Sequence, residues 1–236
     1  MDQMSDMALP LSTSRLNKRG SVADYAYDKL RDRIIFLELA PDSVLSRTRL
    51  SDELGVSLTP LREALQRLQG EGLVQIIPQS KTYVARIDKK KLNAAHFLRV
   101  SLESEVVRRL TADHSQVLIE TLNAIVDQQR KLIDTPEQAN QFHALDELFH
   151  QTMFEAAGQP DLHKMLLTQL GDLARLRRLE LPNTGKTQWV VDAHQRIITS
   201  IKAGDPEISL NALRTDISAS ISKIAEISAQ YPDYFC

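Results

Sequence analysis

Cysteine is almost absent from this chain of 236 residues, since Cys236 at the last position is the only one. A disulfide framework is therefore excluded, and we expect a reducing, cytoplasmic environment. The sequence also lacks an apolar run of roughly 18 residues, the length that a membrane helix needs. Residues 1–20 lack the apolar core of a signal peptide. We therefore expect a protein that has no membrane partner.

A large excess of charge of one sign is also missing. Residues 1–88 contain 12 Lys and Arg against 12 Asp and Glu, and residues 89–236 contain 17 against 19, for a net charge of -2. Neutralisation of phosphates by Lys and Arg drives the binding of nucleic acids. A DNA-binding function would therefore require that basic side chains gather on one face.

Motifs of several enzyme classes are absent as well. The sequence contains no His-Glu-x-x-His zinc motif, no Gly-rich phosphate loop and no nucleophile elbow. Hydrophobic residues make up 42% of the chain and charged residues 25%, which is typical of a globular protein with one or two domains. An enzyme is accordingly the weaker functional interpretation.

The N-terminal part begins with residues 1–20, which lack hydrophobic periodicity and predict a flexible arm. From Ser21 the pattern changes, and an apolar stripe predicts an amphipathic helix that ends before Pro41. This stripe consists of Tyr27, Leu30, Ile34 and Leu37. A second, short helix is predicted over residues 48–54.

A third helix follows a tight turn, in which Gly55 suits a positive φ and Ser57 is placed to cap the helix. Its predicted inner face is formed by Leu61, Ala64, Leu65 and Leu68, which recur at helical spacing. Two short β-prone runs, residues 73–78 and 82–87, then predict a hairpin. Residues 21–88 are therefore predicted to form a winged helix-turn-helix domain with a small β-hairpin wing.

The outer edge of the third helix is polar near its amino end, and we call it the recognition edge. A recognition helix presents this end to the major groove, where Arg can bind guanine and Ser or Thr can contact phosphates or bases. Arg49, and Lys81 at the tip of the hairpin, are placed to reach phosphates. The alternative is an ordinary solvated helix face. The recognition edge consists of Ser57, Leu58, Thr59, Arg62 and Gln66.

Residues 89–236 show no further β signal and predict an all-α bundle, so the fold class is mainly α. Gly and Pro breaks separate several of its amphipathic segments. The predicted helices cover residues 90–112, 115–134, 136–157, 161–181, 187–203 and 206–229.

Four polar residues lie on faces that the periodicity assigns to the interior of this bundle. Asp146 and His150 are one helical turn apart beside an apolar stripe, His194 lies within a second stripe, and Asp216 adjoins a third. Buried carboxylates need a donor, a counter-charge or a cation. Carboxylate and imidazole groups from three helices can share one divalent metal, namely Zn, Ni, Mn or Fe. The alternative is that each histidine is a satisfied core residue.

The segment from Tyr27 to Val84, centred on LSDELGVSLTPLREALQRLQGEGLV, resembles the winged helix-turn-helix of GntR-type transcriptional regulators. The resemblance implies that Thr59 and Arg62 contact the operator. Three positions depart from the family pattern: Leu58 replaces an Arg, and Asp42 and Lys81 replace glycines. Loss of an Arg that reads guanine removes roughly 1 to 3 kcal/mol of discrimination at one base pair, so we expect an altered operator.

From about residue 92 onward, the pieces LRVSLESEVVRRLTA, LDELFHQTMFEAAGQP and AHQRIITSIKAGD resemble the FCD ligand-binding domain of the FadR subgroup. The resemblance implies metal ligands at Asp146, His150 and His194, and places Asp216 where a fourth ligand is more often His. It also implies that Arg99 lines an effector pocket. The alternative for Arg99 is a surface pair with Glu103, four residues away.

Together these features predict a homodimeric repressor or activator that binds palindromic operator DNA under the control of a small carboxylate. The ending YPDYF resembles those of family members that respond to sugar acids. Two rival functions stay open: a metal-dependent hydrolase or lyase that uses the bundle site, and an architectural DNA-binding protein whose helical half only dimerises.

Overall fold

The structure is a computed structural model that describes residues 21–133, 135–180 and 185–236. The arm predicted for residues 1–20 lies outside the described residues. Within the described part, helices dominate and two strands form one antiparallel sheet. This architecture confirms the predicted fold class, a winged helix-turn-helix followed by a helical bundle.

The N-terminal unit contains three helices, α1 (Val22–Ile35), α2 (Arg47–Leu54) and α3 (Leu58–Gly70). Between α2 and α3, Gly55 has a φ of 64°, a left-handed conformation that glycine adopts at little cost. The four apolar residues predicted for the inner face of α3 are all buried. They share one core cluster with Leu30 and Ile34 of α1, which keeps the opposite edge of α3 on the surface.

The wing is a hairpin of β1 (Val74–Ile76) and β2 (Thr82–Val84), in which Val74 pairs with Val84. The hairpin is confirmed, but its strands are shorter than the β-prone runs. Its turn is closed by the Ile77 amide, which donates to the Lys81 carbonyl at 2.8 Å.

Two residues between α1 and α2 have left-handed backbone conformations. Leu37, with a φ of 60°, lies beyond the end of α1 rather than on its inner stripe as predicted. The reason is a tight closing turn, in which the Leu37 amide donates to the Ile34 carbonyl at 3.1 Å. Asp42 has a φ of 64°, which gives a physical reason for glycine at this position, and aspartate tolerates this region better than most residues.

The rest of the described chain is helical, and its core is formed mainly by apolar residues of α4, α5, α6, α9 and α10. No helix in the described residues is both long and apolar enough to cross a membrane. The helices are α4 (Lys89–Ala112), α5 (Gln116–Arg130), α6 (Ala139–Ala156), α7 (Pro160–Gln169), α8 (Gly171–Glu180), α9 (Lys186–Ala203), α10 (Pro206–Ser218) and α11 (Ile224–Gln230).

Two predicted helices are each broken in two. The segment 161–181 breaks at Leu170, after which Gly171 lies so close to Leu73 of the N-terminal unit that a Cβ would be 2.8 Å from its Cδ2 atom. The segment 206–229 breaks after Ser218, where Ser220 donates a hydrogen bond of 2.5 Å to Glu180. Both breaks therefore coincide with long-range contacts that periodicity along the chain does not reveal.

A smaller apolar cluster joins the N-terminal unit to the bundle and includes Ile87, Leu176 and Phe235. The Ile87 amide donates to the Tyr234 carbonyl at 2.8 Å, and the Cys236 amide donates to the Ile87 carbonyl at 3.1 Å. The C-terminal segment, residues 231–236, thus lies beside the connection between the two units.

Candidate functional site

The recognition edge of α3 is on the surface. Ser57, Thr59 and Arg62 are exposed, and Leu58 is 53% exposed. Burial of the leucines on the other side of α3 holds this edge outward. The edge therefore offers hydroxyl groups, one guanidinium and one apolar side chain to a groove of DNA.

Ser57 is the residue before α3, but its side chain makes no capping hydrogen bond, so the predicted capping role is wrong. An N-cap hydroxyl accepts from the amide of the second or third helical residue. The third helical residue here is Pro60, which has no N–H to donate. The Ser57 hydroxyl is therefore not committed to the helix.

Arg49 and Lys81, the other two predicted DNA contacts, differ in their surroundings. The Arg49 side chain is 79% exposed, and its Nε atom lies 2.6 Å from Glu53 Oε1. Lys81 is exposed on the wing, with its Nζ atom 5.3 Å from the centre of the Tyr83 ring. A phosphate would have to displace Glu53 to bind Arg49. For Lys81, the structure shows no ion pair among the described residues that a phosphate would have to displace.

In the bundle, the structure brings three of the predicted metal ligands together. Asp146 and His150 lie on α6 and His194 on α9, all three are buried, and each offers a ligand atom within 4.8 Å of the other two. His194 Nε2 is 3.7 Å from Asp146 Oδ1. These side chains are therefore close enough to bind a common small ligand.

Asp216 of α10 approaches the two imidazoles from the other side. Its Oδ2 atom lies 3.5 Å from His150 Nε2, and its Oδ1 atom lies 3.9 Å from His194 Nε2. It does not belong to the group of three whose ligand atoms all lie close to one another. We refer to Asp146, His150, His194 and Asp216 together as the carboxylate-imidazole cluster.

Each imidazole of the cluster has an oxygen atom close to its other nitrogen. His150 Nδ1 lies 2.8 Å from Glu103 Oε2, and His194 Nδ1 lies 2.8 Å from Gln129 Oε1. The His194 ring is also stacked on Phe149, with 3.9 Å between the ring centres. An acceptor near Nδ1 favours the proton on that nitrogen, so that in the neutral form of each imidazole the Nε2 lone pair faces the cluster.

The charges within the cluster affect one another strongly. Burial disfavours the charged form of His150, but the Glu103 carboxylate outweighs burial and raises the pKa of His150 to about 9. Burial lowers the pKa of His194 to about 4. Burial opposes ionisation of Asp146 too, yet Arg177 and the two imidazoles hold the pKa of this carboxyl far below its usual range. Asp146 is therefore a carboxylate at neutral pH.

The cluster fits a divalent cation. Among the described residues, Asp146 Oδ1 and the Nε2 atoms of His150 and His194 have no hydrogen-bond partner, although buried polar atoms normally have one. Ligands about 2.1 Å from a tetrahedral cation lie about 3.4 Å apart, so the ligand atoms of Asp146, His150 and His194, which lie within 4.8 Å of one another, would have to move closer together around a cation. Imidazole and carboxylate ligands suit Zn, Ni, Mn or Fe.

A cavity of about 490 Å³ reaches the cluster from the side of the N-terminal unit. Its walls come from the bundle and from α1, so a molecule in the cavity would touch both units. Its lining includes Arg99, His143, Asp146, His150 and Arg177, together with Arg31 of α1 and Phe36, the residue that follows α1.

The interpretation of Arg99 and Glu103 as a surface pair is wrong. Both side chains are buried, and Arg99 Nε lies 2.5 Å from Glu103 Oε1. Burial opposes ionisation of Glu103, but Arg99 and His150 lower its pKa to about 2. The pair faces the cavity because α4 turns this side toward α6 and α7.

Three residues that shape the site are not predicted from the sequence in these roles. Gln129 carries a usable signal, because it lies at helical spacing from the buried Leu122 and Ile125 of α5. The sequence presents Glu103 only as the partner of Arg99. The Nη2 atom of Arg177 lies 2.5 Å from Asp146 Oδ2. The spacing of apolar residues in the helix of Arg177 does not indicate this contact.

Two family models match the chain over most of its length. Residues 22–84 match the model described as bacterial regulatory proteins, gntR family, and residues 95–219 match the FCD domain. The first match spans the winged helix-turn-helix, and the second includes all four members of the carboxylate-imidazole cluster.

Individual proteins are similar over nearly the whole chain. A protein of Streptomyces ambofaciens, described as an uncharacterized HTH-type transcriptional regulator in an unstable DNA locus, is 35% identical over 89% of this chain and 87% of its own. The gluconate operon transcriptional repressor of Bacillus subtilis (strain 168) is 25% identical over 90% of this chain and 88% of its own. The solved structure of E. coli McbR/YncC has the same fold, with a TM-score of 0.75 and 19% identity over 90% of this chain and 99% of that one.

Proposed function

Since the chain belongs to the gntR family of bacterial regulatory proteins and carries an FCD domain, it is a transcriptional regulator, and we propose that a small carboxylate bound beside a divalent metal controls its affinity for a palindromic operator. The observation that carries this proposal is the convergence of Asp146, His150 and His194, of which Asp146 and His150 line a cavity. Two copies of the chain would read the two halves of an inverted repeat.

We assign the reading of DNA to the recognition edge of α3. Arg62 is placed to bind guanine, Thr59 and Ser57 to contact bases or phosphates, and the exposed Leu58 to face a thymine methyl group. Arg49 and Lys81 would contact phosphates on either side. The net charge of -2 does not favour binding to DNA. The assignment therefore depends on the exposed polar and basic side chains of the recognition edge, Arg49 and Lys81.

We assign the sensing of the metabolite to the cavity. A divalent cation held by Asp146, His150 and His194, with Asp216 in reach, would supply a Lewis-acidic anchor for carboxylate oxygens. Arg99 lines the same cavity and adds positive charge, which it shares with Glu103. An effector changes the affinity for DNA only if it binds more tightly to one arrangement of the two units.

We place the effector in the class of sugar acids. A relative that covers most of this chain is named as a gluconate operon repressor. A sugar acid combines a carboxylate, which suits a cation and Arg99, with hydroxyl groups, which suit polar neighbours such as His143 and Gln151 of the cavity. The volume of about 490 Å³ is adequate for a small molecule of this kind.

A thermal-shift screen of small carboxylates, gluconate among them, on Zn²⁺-loaded protein tests the sensor. We expect a sugar acid to raise the melting temperature of the wild type and to have no effect on Asp146→Ala. Asp192→Ala is the matched control, because Asp192 is exposed on α9 outside the cavity. A rise in melting temperature that survives in Asp146→Ala would remove the metal from the effector site.

Metal analysis and gel shifts with DNA from upstream of the gene distinguish the metal-dependent regulator from an enzyme and from an architectural protein. Metal together with an absence of DNA binding would favour the hydrolase or lyase. DNA binding that ignores both metal and carboxylates would favour the architectural protein. We expect DNA binding that changes when metal and carboxylate are added together.

A further inference from the structure

Helix α8 touches the carboxylate-imidazole cluster and the DNA-binding unit at the same time. Its Arg177 pairs with Asp146 in the cluster, while Arg175 and Asp172 bind the interdomain segment, residues 85–88, which connects the wing to α4. The helix has ten residues, Gly171–Glu180. Backbone hydrogen bonds join every turn of a helix to the next, so a displacement of one end of α8 also displaces the other end.

The hydrogen bonds between α8 and the interdomain segment are made by buried, charged side chains. Arg175 is fully buried, and its Nη1 atom donates to the Ala85 carbonyl at 2.6 Å. Asp172 pairs with Arg175 through one oxygen and accepts from the Asp88 amide at 3.0 Å through the other. Hydrogen bonds to charged groups are stronger than neutral ones, so these contacts locate the segment firmly.

The same helix lies against the body of the DNA-binding unit. Gly171 packs on Leu73, which belongs to the core of that unit, and a Cβ at Gly171 would lie 2.8 Å from Leu73 Cδ2. Arg178 covers the ring of Phe36 at the end of α1, 4.8 Å from its centre. A displacement of α8 would therefore press on the DNA-binding unit itself as well as on its connection.

At the other side of α8, one carboxylate faces both the cluster and the helix. Asp146 Oδ1 lies 3.7 Å from His194 Nε2, whereas Asp146 Oδ2 lies 2.5 Å from Arg177 Nη2. A cation bound at Oδ1 would draw charge away from Oδ2 and weaken its attraction for the guanidinium. A carboxylate ligand in the cavity would offer Arg177, which lines it, a second partner.

We propose that Arg177 is a positioning residue that couples occupancy of the carboxylate-imidazole cluster to the position of the DNA-binding unit through α8. This inference rests on the proposed function and adds its route of communication. Metal and DNA would influence each other because both bias one shared element, and the effect on the two affinities must be reciprocal.

A thermodynamic cycle tests the coupling. The dissociation constant for Zn²⁺ is measured by competition with a chelating dye, with and without a DNA duplex that the protein has selected from a random pool. We expect the wild type to show a change of about fivefold or more between the two conditions. In Arg177→Gln, we expect Zn²⁺ to bind more tightly without DNA, because the guanidinium no longer competes with the cation for the Asp146 carboxylate. The effect of DNA on Zn²⁺ affinity should disappear.

Three further variants exclude a merely structural effect. Asp172→Asn cannot accept from both Arg175 and the Asp88 amide, so it should retain wild-type Zn²⁺ affinity but lose the effect of DNA. Arg177→Lys retains the positive charge and should restore part of the coupling. Arg214→Gln, which replaces an exposed arginine of α10, should behave as the wild type. Circular dichroism confirms that each variant is folded.

The outcomes separate the two proposals. If the wild type fails to bind Zn²⁺ at the cluster, the metal-sensor function and this inference both fall. If the wild type binds Zn²⁺ with coupling to DNA, and Arg177→Gln or Asp172→Asn retains that coupling, only the route through α8 is refuted. Should Arg177→Gln misfold, the result for Asp172→Asn decides.

Discussion

Replacement of Gln129 by leucine isolates the effect of imidazole orientation on metal binding. Gln129 is fully buried, and its Oε1 atom accepts from His194 Nδ1 at 2.8 Å, which turns the Nε2 lone pair toward the cluster. Leucine fills a similar volume but offers no acceptor. The Nδ1–H of His194 would remain buried without a partner, which costs about 1 to 3 kcal/mol of the free energy of unfolding of the metal-free protein.

The loss of this acceptor should also weaken metal binding. Removal of such an outer hydrogen bond lowers metal affinity by about 10- to 100-fold. At a Zn²⁺ concentration of 100 times the wild-type dissociation constant, the metal stabilises the wild type by about 2.7 kcal/mol. With an affinity about 100-fold lower, the same concentration would stabilise Gln129→Leu by only about 0.4 kcal/mol.

Isothermal titration with Zn²⁺ gives the affinities, and urea denaturation with and without Zn²⁺ gives the stabilisation. Gln129→Glu keeps an acceptor and adds a negative charge, so we expect it to retain metal binding. Gln128→Leu, a half-buried neighbour on α5, is the control for the loss of a glutamine. If folded Gln129→Leu binds Zn²⁺ within twofold of the wild type, the orientation argument for His194 is refuted.

Three other predictions concern DNA binding, a buried ion pair and the C-terminal segment. Arg62→Ala should weaken operator binding by about 1 to 3 kcal/mol without loss of the fold, and an unchanged gel shift would exclude Arg62 from the interface. Glu180→Gln should lower the free energy of unfolding by about 3 kcal/mol at pH 7, because the buried carboxylate pairs with Lys186 at 2.9 Å. Burial raises the pKa of Glu180, but hydrogen bonds from Ser220 and Lys186 outweigh it and leave the pKa below the usual value. The stabilisation by the Glu180 carboxylate is therefore complete above the pKa of Glu180 in the unfolded state and is lost as the pH falls through its pKa in the folded state. Urea denaturation should show that the difference in the free energy of unfolding between wild type and Glu180→Gln becomes smaller in acid. Phe235→Ala should destabilise the protein by about 3 to 5 kcal/mol, since Phe235 is buried in the apolar cluster with Ile87 and Leu176, and an unchanged melting temperature would contradict that packing.

Features that depend on neighbours along the chain could be predicted well. The inner face of α3 follows from the spacing of its apolar residues, and the turn before it follows from the conformational freedom of Gly55. The burial of His194 was visible too, because this residue stands within an apolar stripe of α9. Local propensity and periodicity determine such features, since they arise within a single helix or turn.

Predictions were wrong where they did not consider a second residue that contacts the predicted one, either nearby in the chain or far away in sequence. Ser57 occupies the N-cap position of α3, but Pro60 has no backbone N–H that could donate to the Ser57 hydroxyl. This error was avoidable, because Pro60 is visible in the sequence. The break between α7 and α8 could not be read in this way, because it accompanies the packing of Gly171 on Leu73, 98 positions earlier in the chain. The buried environment of Arg99 likewise depends on helices that lie far away in sequence.

By itself the sequence determined which side chains of α6, α9 and α10 face inward, because helical periodicity assigns each residue to a side of its own helix. Only the tertiary structure decided that Asp146, His150 and His194 meet, that Asp216 approaches the imidazoles, and that Arg177 reaches Asp146. The distance between side chains of different helices depends on how the helices pack, and no repeat along a single helix encodes that distance.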